Sequence, residues 1–314
     1  MAERSFDKDF LPYLSEIPTI QDFSSPEKIQ AIREMRTEMM AAPADRDDVT
    51  MEDRTIPGLE GAPDIPIRIY RPIAASDGTR PGLLEIHGGG FMLGNIEMMD
   101  AWCQMIAAQV DAVVVSVGYR LAPEDPFPAG LEDCYAALSW TAEQADELDL
   151  DPERLAIAGQ SAGGGLAAGL ALMARDRGGP AICFQLLEIP ELDDRLDTPS
   201  MLAFTDTPFW NRPNAQWSWK HYLGPDHSGE PSPYAAPARA IDVAGLPPAY
   251  VSTMEFDPLR DEGIRYAMKM LEAGISVELH NYAGTFHGSA FVPAEPTRRN
   301  TEEIVRILQR RLHP

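Results

Sequence analysis

The chain has 314 residues, 44% of them hydrophobic, and carries 49 acidic against 26 basic side chains for a formal net charge of −23. That length suits one large core, or one domain with an insertion, and so acidic a surface would be repelled by a nucleic-acid backbone or an anionic bilayer. Three scattered cysteines (Cys103, Cys134, Cys183) give neither a closed disulfide set nor metal-ligand spacing. No apolar run reaches the length of a membrane span, and residues 1–7 lack the basic, apolar, small-residue order of a signal peptide, so a cytoplasmic protein without a metal is expected.

In chain order, residues 26–40 form an amphipathic helical pattern with isoleucines and methionines along one face. Strand patterns follow at 49–56, 66–71, 82–86, 112–117, 154–158, 182–188, 248–255 and 276–282, with helical patterns between them from the third strand onward. Strands alternating with helices imply an α/β fold, with a mostly parallel eight-stranded sheet, helices on both faces and the early pair as an antiparallel edge. Residues 192–230 break the alternation and are rich in aromatics: Phe204, Phe209, Trp210, Trp217, Trp219 and Tyr222.

The third strand runs into His87-Gly88-Gly89-Gly90. Consecutive glycines expose bare backbone N–H groups, the donors needed where an oxygen becomes anionic during acyl transfer. The fifth strand runs into Gly159-Gln160-Ser161-Ala162-Gly163-Gly164, and a small-residue helix follows. A serine hydroxyl is a poor nucleophile at neutral pH, so it has to be presented at a sharp strand-to-helix turn, within reach of a base. Gly159 and Gly163 leave room for that turn.

A base and an acid are then sought downstream in the order acid, histidine. His221 lies among tryptophans, His227 in a loop, His280 inside an alternating strand and His313 near the C-terminal end. His287, in Gly284-Thr285-Phe286-His287-Gly288, falls just past a strand, where α/β sheets carry their chemistry. Asp257 closes the preceding strand, 30 residues earlier. Glu255, Asp261 and Glu262 compete with it, although the last two fit a helix's first turn.

These segments, together with Gly118-Tyr119-Arg120-Leu121-Ala122-Pro123-Glu124, Pro126-Phe127-Pro128-Ala129 and Asp257-Pro258-Leu259-Arg260-Asp261-Glu262-Gly263, resemble the bacterial hormone-sensitive-lipase-like esterases (family IV) of the α/β-hydrolase fold. The resemblance implies Ser161 as nucleophile, His287 as base, Asp257 as its orienting acid, and the N–H groups of Gly89, Gly90 and Ala162 as oxyanion hole. It also implies that residues 1–47 and 192–230 form a small helical cap over a catalytic domain spanning 48–314. Two positions depart from the pattern: Gln160, where Asp or Thr is common, and Glu188, where an aromatic residue is more usual. Arg120 and Glu124 are read as braces for the sheet edge and its loop.

The expected activity is serine carboxylesterase, hydrolysing short- to medium-chain esters through an acyl-enzyme without a cofactor. The partner is a small-molecule ester, with Phe209, Trp210 and Met40 against it, and homodimerisation is left open. An amidase or deacetylase would use the same residues. A non-catalytic receptor of the kind found among plant relatives would lack the histidine.

Overall fold

In the computed structural model, which describes residues 4–314 except 18, 20, 40–45, 60, 76 and 77, the chain builds eight strands. They are β1 (Val49–Ile56), β2 (Ile65–Pro72), β3 (Arg80–Ile86), β4 (Val113–Val117), β5 (Leu150–Gln160), β6 (Phe184–Glu188), β7 (Ala249–Phe256) and β8 (Val277–Phe286). The helices are α1 (Pro26–Met39), α2 (Asp100–Val110), α3 (Ala129–Glu143), α4 (Ala145–Leu148), α5 (Ala162–Arg177), α6 (Pro199–Ala203), α7 (Arg212–Leu223), α8 (Arg260–Glu272) and α9 (Glu295–Leu312). None of the described helices is long and apolar enough to cross a membrane.

The strands form one sheet in the order β1-β2-β4-β3-β5-β6-β7-β8. β1 pairs antiparallel with β2, β2 antiparallel with β4, and every later pairing is parallel. This agrees with the expected antiparallel edge. Two strands outrun the expected bounds by four residues at one end. β5 starts at Leu150, because Leu150 and Asp151 pair with Arg80 and Pro81 before the register shifts, a pairing hidden in sequence by Asp151-Pro152-Glu153-Arg154. β8 continues to Phe286, which pairs with Phe256 beyond a second irregularity.

Central strands β3, β4 and β6 are buried along their whole length because helices cover both faces. Side chains alternate across the sheet. Leu84, Ile86, Leu155 and Ile157 join the core under α3, α5 and α8, whereas Leu83, Ala156 and Ala158 join the core under α2 and α9. From Ala162 to Ala174, α5 is buried on every side, which only Gly, Ala and a few Leu and Met residues allow in a helix so close to its sheet.

The two segments outside the alternation pack on each other. Phe23, Ile29, Met201, Trp210 and Ala215 share an apolar cluster with Met92 and Leu93. His221 Nε2 meets Phe23 O at 2.7 Å, and Asn211 donates to Thr19 O. On α1 the inward face carries Ile29, Arg33 and Arg36, at i, i+4 and i+7. Ile32 packs partly against the cluster, but Met35 points outward at 45% exposure, away from the face it was expected to share with the isoleucines. Met40 lies outside the described residues.

Candidate active site

The turn from β5 into α5 is as sharp as the sequence requires. Ser161 has φ 55° and ψ −120°, outside the comfortable regions for an L-residue. A Cβ on Gly163 would stand 2.0 Å from Ile86 O, and one on Gly159 would stand 2.2 Å from Gly163 O, so both glycines are sterically obligatory. The strained serine is fixed by its own backbone. Its N–H donates to Glu188 O at 2.8 Å, and its carbonyl accepts from Gly165 and Glu191 at 3.0 Å each.

Ser161 Oγ lies 2.9 Å from His287 Nε2, and His287 Nδ1 lies 2.8 Å from Asp257 Oδ2. Since Nδ1 faces a carboxylate it carries the proton, which leaves the Nε2 lone pair to accept from the serine hydroxyl. All three side chains are buried, Asp257 completely. Asp257 Oδ1 accepts from Leu259 N–H at 2.8 Å, so the carboxylate cannot swing away from the imidazole.

The competing residues are engaged elsewhere. Glu255 accepts from Gly284 N–H at 2.7 Å, Asp261 from Ser200 N–H at 2.8 Å, and Glu262 from the N–H groups of Leu192 and Asp193. His280 sits 2.7 Å from Glu303, and His313 caps Val110 O. Arg120 pairs with Asp133 of α3, whereas Glu124 pairs with Arg33 of α1; both brace the loop, but not each other.

Beside the serine, the N–H groups of Gly89 and Gly90 make no hydrogen bond within the described residues, and Ala162 opens α5, where N–H groups lack intrahelical acceptors. The glycine loop is held from three sides. Burial pushes the His87 imidazole down to about 4, so it is neutral near pH 7; Nδ1 meets Gly88 O at 2.8 Å and the ring stacks on Tyr119. Ser218 of α7 donates to Gly90 O at 3.1 Å. Gly90 itself has φ +60°, and a Cβ there would come within 2.4 Å of the Trp210 ring.

These groups open into a cleft with about 560 Å³ of empty space, part of it open solvent. Phe209 and Trp210 line it, as expected from sequence, and Trp210 lies 5.9 Å from the His287 ring. Met98, Ile189, Phe291 and Arg36 also line it and were not foreseen. Ile189 adjoins Glu188 and Phe291 follows Gly288 closely, which is a usable signal; Arg36 sits more than a hundred residues from Ser161 in sequence, and only the tertiary fold brings it there.

A hydroxyl able to pass its proton to a fixed imidazole, next to unoccupied N–H donors and an apolar cleft, is equipped for nucleophilic acyl transfer. Residues 83–291 match the family model described as alpha/beta hydrolase fold. The chain belongs to this family, in its hormone-sensitive-lipase-like branch. It is 40% identical to carboxylesterase NlhH of Mycobacterium tuberculosis over 297 residues, covering 91% of this chain and 92% of the other. Among solved structures it resembles a bacterial heroin esterase (TM-score 0.92, 48% identity, 98% of both chains). It also resembles esterase LipW from Mycobacterium marinum (TM-score 0.86, 37% identity, 99% of this chain and 97% of that one).

Against the family pattern, the two departures explain each other. Gln160 donates its amide to Glu188 Oε1 at 3.2 Å, and Asn300 of α9 donates to Glu188 Oε2 at 3.3 Å. Burial still pushes the Glu188 carboxyl up to about 7. The buried acid thus has neutral amide partners rather than a counter-ion.

Proposed function

We propose that this carboxylic ester hydrolase works through Ser161 as nucleophile, His287 as general base and then acid, and Asp257 as the group that orients and stabilises the imidazolium. The observation that carries this is the unbroken line from Ser161 Oγ through His287 to Asp257, at 2.9 and 2.8 Å. As Oγ bonds to the ester carbonyl carbon, its proton passes to His287 Nε2, and the carbonyl oxygen becomes an anion received by the N–H groups of Gly89, Gly90 and Ala162. Collapse of that intermediate breaks the bond to the alcohol, which leaves with the proton from Nε2. Water then repeats the sequence on the acyl-enzyme, releasing the acid and restoring Ser161.

Residues 1–47 and 192–230 act as a cap over a catalytic body spanning 48–314; their shared cluster around Phe23 and Trp210, and Ser218 on the oxyanion loop, support this. The substrates are short- to medium-chain esters, with Phe209 and Trp210 against the reacting end. A cytoplasmic location is part of the reading, in line with three cysteines that are all unpaired. A series of p-nitrophenyl esters from acetate to palmitate tests it. A maximum at about eight carbons or fewer is expected, because a cap this modest would leave longer tails uncovered, and a maximum at palmitate would overturn the assignment of the pocket.

A further inference from the structure

Two arginines project from the inner face of α1, one turn apart, and their surroundings differ. Arg33 is saturated: Nε donates to Met92 O at 2.7 Å, the two terminal nitrogens grip Glu124 at 2.8 and 2.9 Å, and one of them also reaches Ala122 O at 2.8 Å. Its role is to pin α1 to the body. Arg36 has no acidic partner among the described residues, and its one hydrogen bond there runs to Gln21 Oε1 at 3.0 Å. Arg36 lines the same cleft as Ser161 and His287.

An ionised side chain is costly to hold in an apolar setting unless something pairs with it. Burial lowers the Arg36 pKa, with no carboxylate acting to raise it, and it is the one arginine among the described residues with a resolved downward shift. The charge is also out of keeping with the rest of the molecule. The chain has a net charge of −23, yet no Asp or Glu among the described residues lines the cleft, and beyond Arg36 and the reacting groups its walls are mainly glycine backbone and side chains such as Leu93, Met98 and Phe291. An anion entering that space would find one strong partner, a planar fork of donors matched to a carboxylate.

We propose that Arg36 is a specificity residue and that the preferred substrate is an ester bearing a free carboxylate, carried on either its acyl or its alcohol part, which the Arg36 guanidinium binds while Ser161 attacks the ester carbon. This rests on the esterase reading of the same cleft. It adds the chemical class of substrate, and it assigns α1 a part in selection as well as in covering the site.

The test compares each acid with its uncharged amide isostere. For the alcohol side the pair is 4-acetoxybenzoate and 4-acetoxybenzamide; for the acyl side it is the mono-4-nitrophenyl esters of adipic acid and of adipamic acid. kcat/KM is measured for all four with the full-length protein and with Arg36→Gln and Arg36→Lys. In at least one pair the acid-to-amide ratio should fall about 10- to 100-fold in Arg36→Gln, the loss expected for a charge-assisted hydrogen bond, chiefly through KM, with part of it regained in Arg36→Lys. Which pair responds tells where the carboxylate sits. An unchanged ratio in both pairs, with the amide esters still hydrolysed, overturns the proposal and leaves the esterase reading standing. Failure of the wild-type protein to hydrolyse any of the four would overturn both.

Discussion

On the sheet side of the cleft, His287 is held between Ser161 and Asp257 at 2.9 and 2.8 Å, and the three competing acids, Glu255, Asp261 and Glu262, already have other partners. On the α1 side, Arg36 lines the same space with Gln21 as its one hydrogen-bond partner among the described residues. The contrast follows from what each wall does. Acyl transfer needs groups fixed before any substrate arrives, because donors that must reorganise during the reaction lose much of their effect. Selection needs the reverse, a group whose strongest partner is supplied by the ligand. Damage to the first wall should therefore abolish turnover of every ester, and damage to the second should change which ester is turned over.

The hardest test of the first half is to remove a member of the line. Ser161→Ala or His287→Ala should each lower kcat by about 10⁴ or more on all esters alike, leaving only what the backbone donors and binding supply, and Asp257→Asn should cost somewhat less. Thermal melts should stay close to wild type for Ser161→Ala, which removes one oxygen. A tenth of wild-type turnover surviving in that variant would show that the nucleophile lies elsewhere.

Next in size is the oxyanion loop. At Gly90 a side chain needs an unfavourable φ and collides with Trp210 at 2.4 Å, so Gly90→Val should displace the donor and cost roughly 10²-fold in kcat. Circular dichroism separates this from unfolding. Full activity in a folded Gly90→Val protein would reduce the glycine run to a turn.

That the sheet wall could be read from sequence and the α1 wall could not has a physical cause. His87-Gly88-Gly89-Gly90, the Ser161 elbow, Asp257 and His287 each follow a strand pattern, apolar or alternating, that glycine or proline bounds, so local pattern alone locates them at the carboxyl edge of a parallel sheet. Where β5 runs from Leu150 through Asp151-Pro152-Glu153-Arg154, the polar residues concealed its first pairs with β3. The cleft lining from Arg36 and Met98 carries no local mark, because what matters is the separation brought together by the fold. Glu188 stood out in sequence only as a departure from the pattern for the same reason: Asn300, one of its two amide partners, is 112 residues away on α9. The helical period at 26–40 was legible, but which face turned inward was not, since Arg33 finds its carboxylate in the loop at Glu124, 91 residues on.

The comparison sharpens at that anchor. Arg33→Ala removes the grip on Glu124, Met92 O and Ala122 O while leaving the sheet wall untouched. If α1 serves selection, kcat/KM should drop about 10-fold, mostly through KM, as a loosened cap positions substrate poorly. A fall in kcat at unchanged KM would instead tie α1 to the chemical step.

The smallest effect on turnover, and the most informative about the sheet wall itself, belongs to Glu188. Its carboxyl ionises at about 7 in the fold against an ordinary 4.5, because burial outweighs the amide donors from Asn300 and Gln160. Between those two values the native protein keeps a proton that the unfolded chain has released, so the unfolded state binds fewer protons and stability falls as pH rises through that window. The full cost, at most about 3 kcal/mol, is present only above pH 7 and vanishes below about 4.5. Glu188→Gln removes the titration, and its own amide can donate to Asn300 Oδ1, a buried atom without a partner, if the Asn300 amide turns over. Urea melts should then place the variant near wild type at pH 5 and about 1–3 kcal/mol above it at pH 8, with kcat changed less than about threefold because Ser161 is held through the Glu188 carbonyl and not its side chain. A stability gap equal at both pH values, or wider at pH 5, would mean that Glu188 is ionised in the native protein near neutrality and that the polar cluster beside the serine balances a charge.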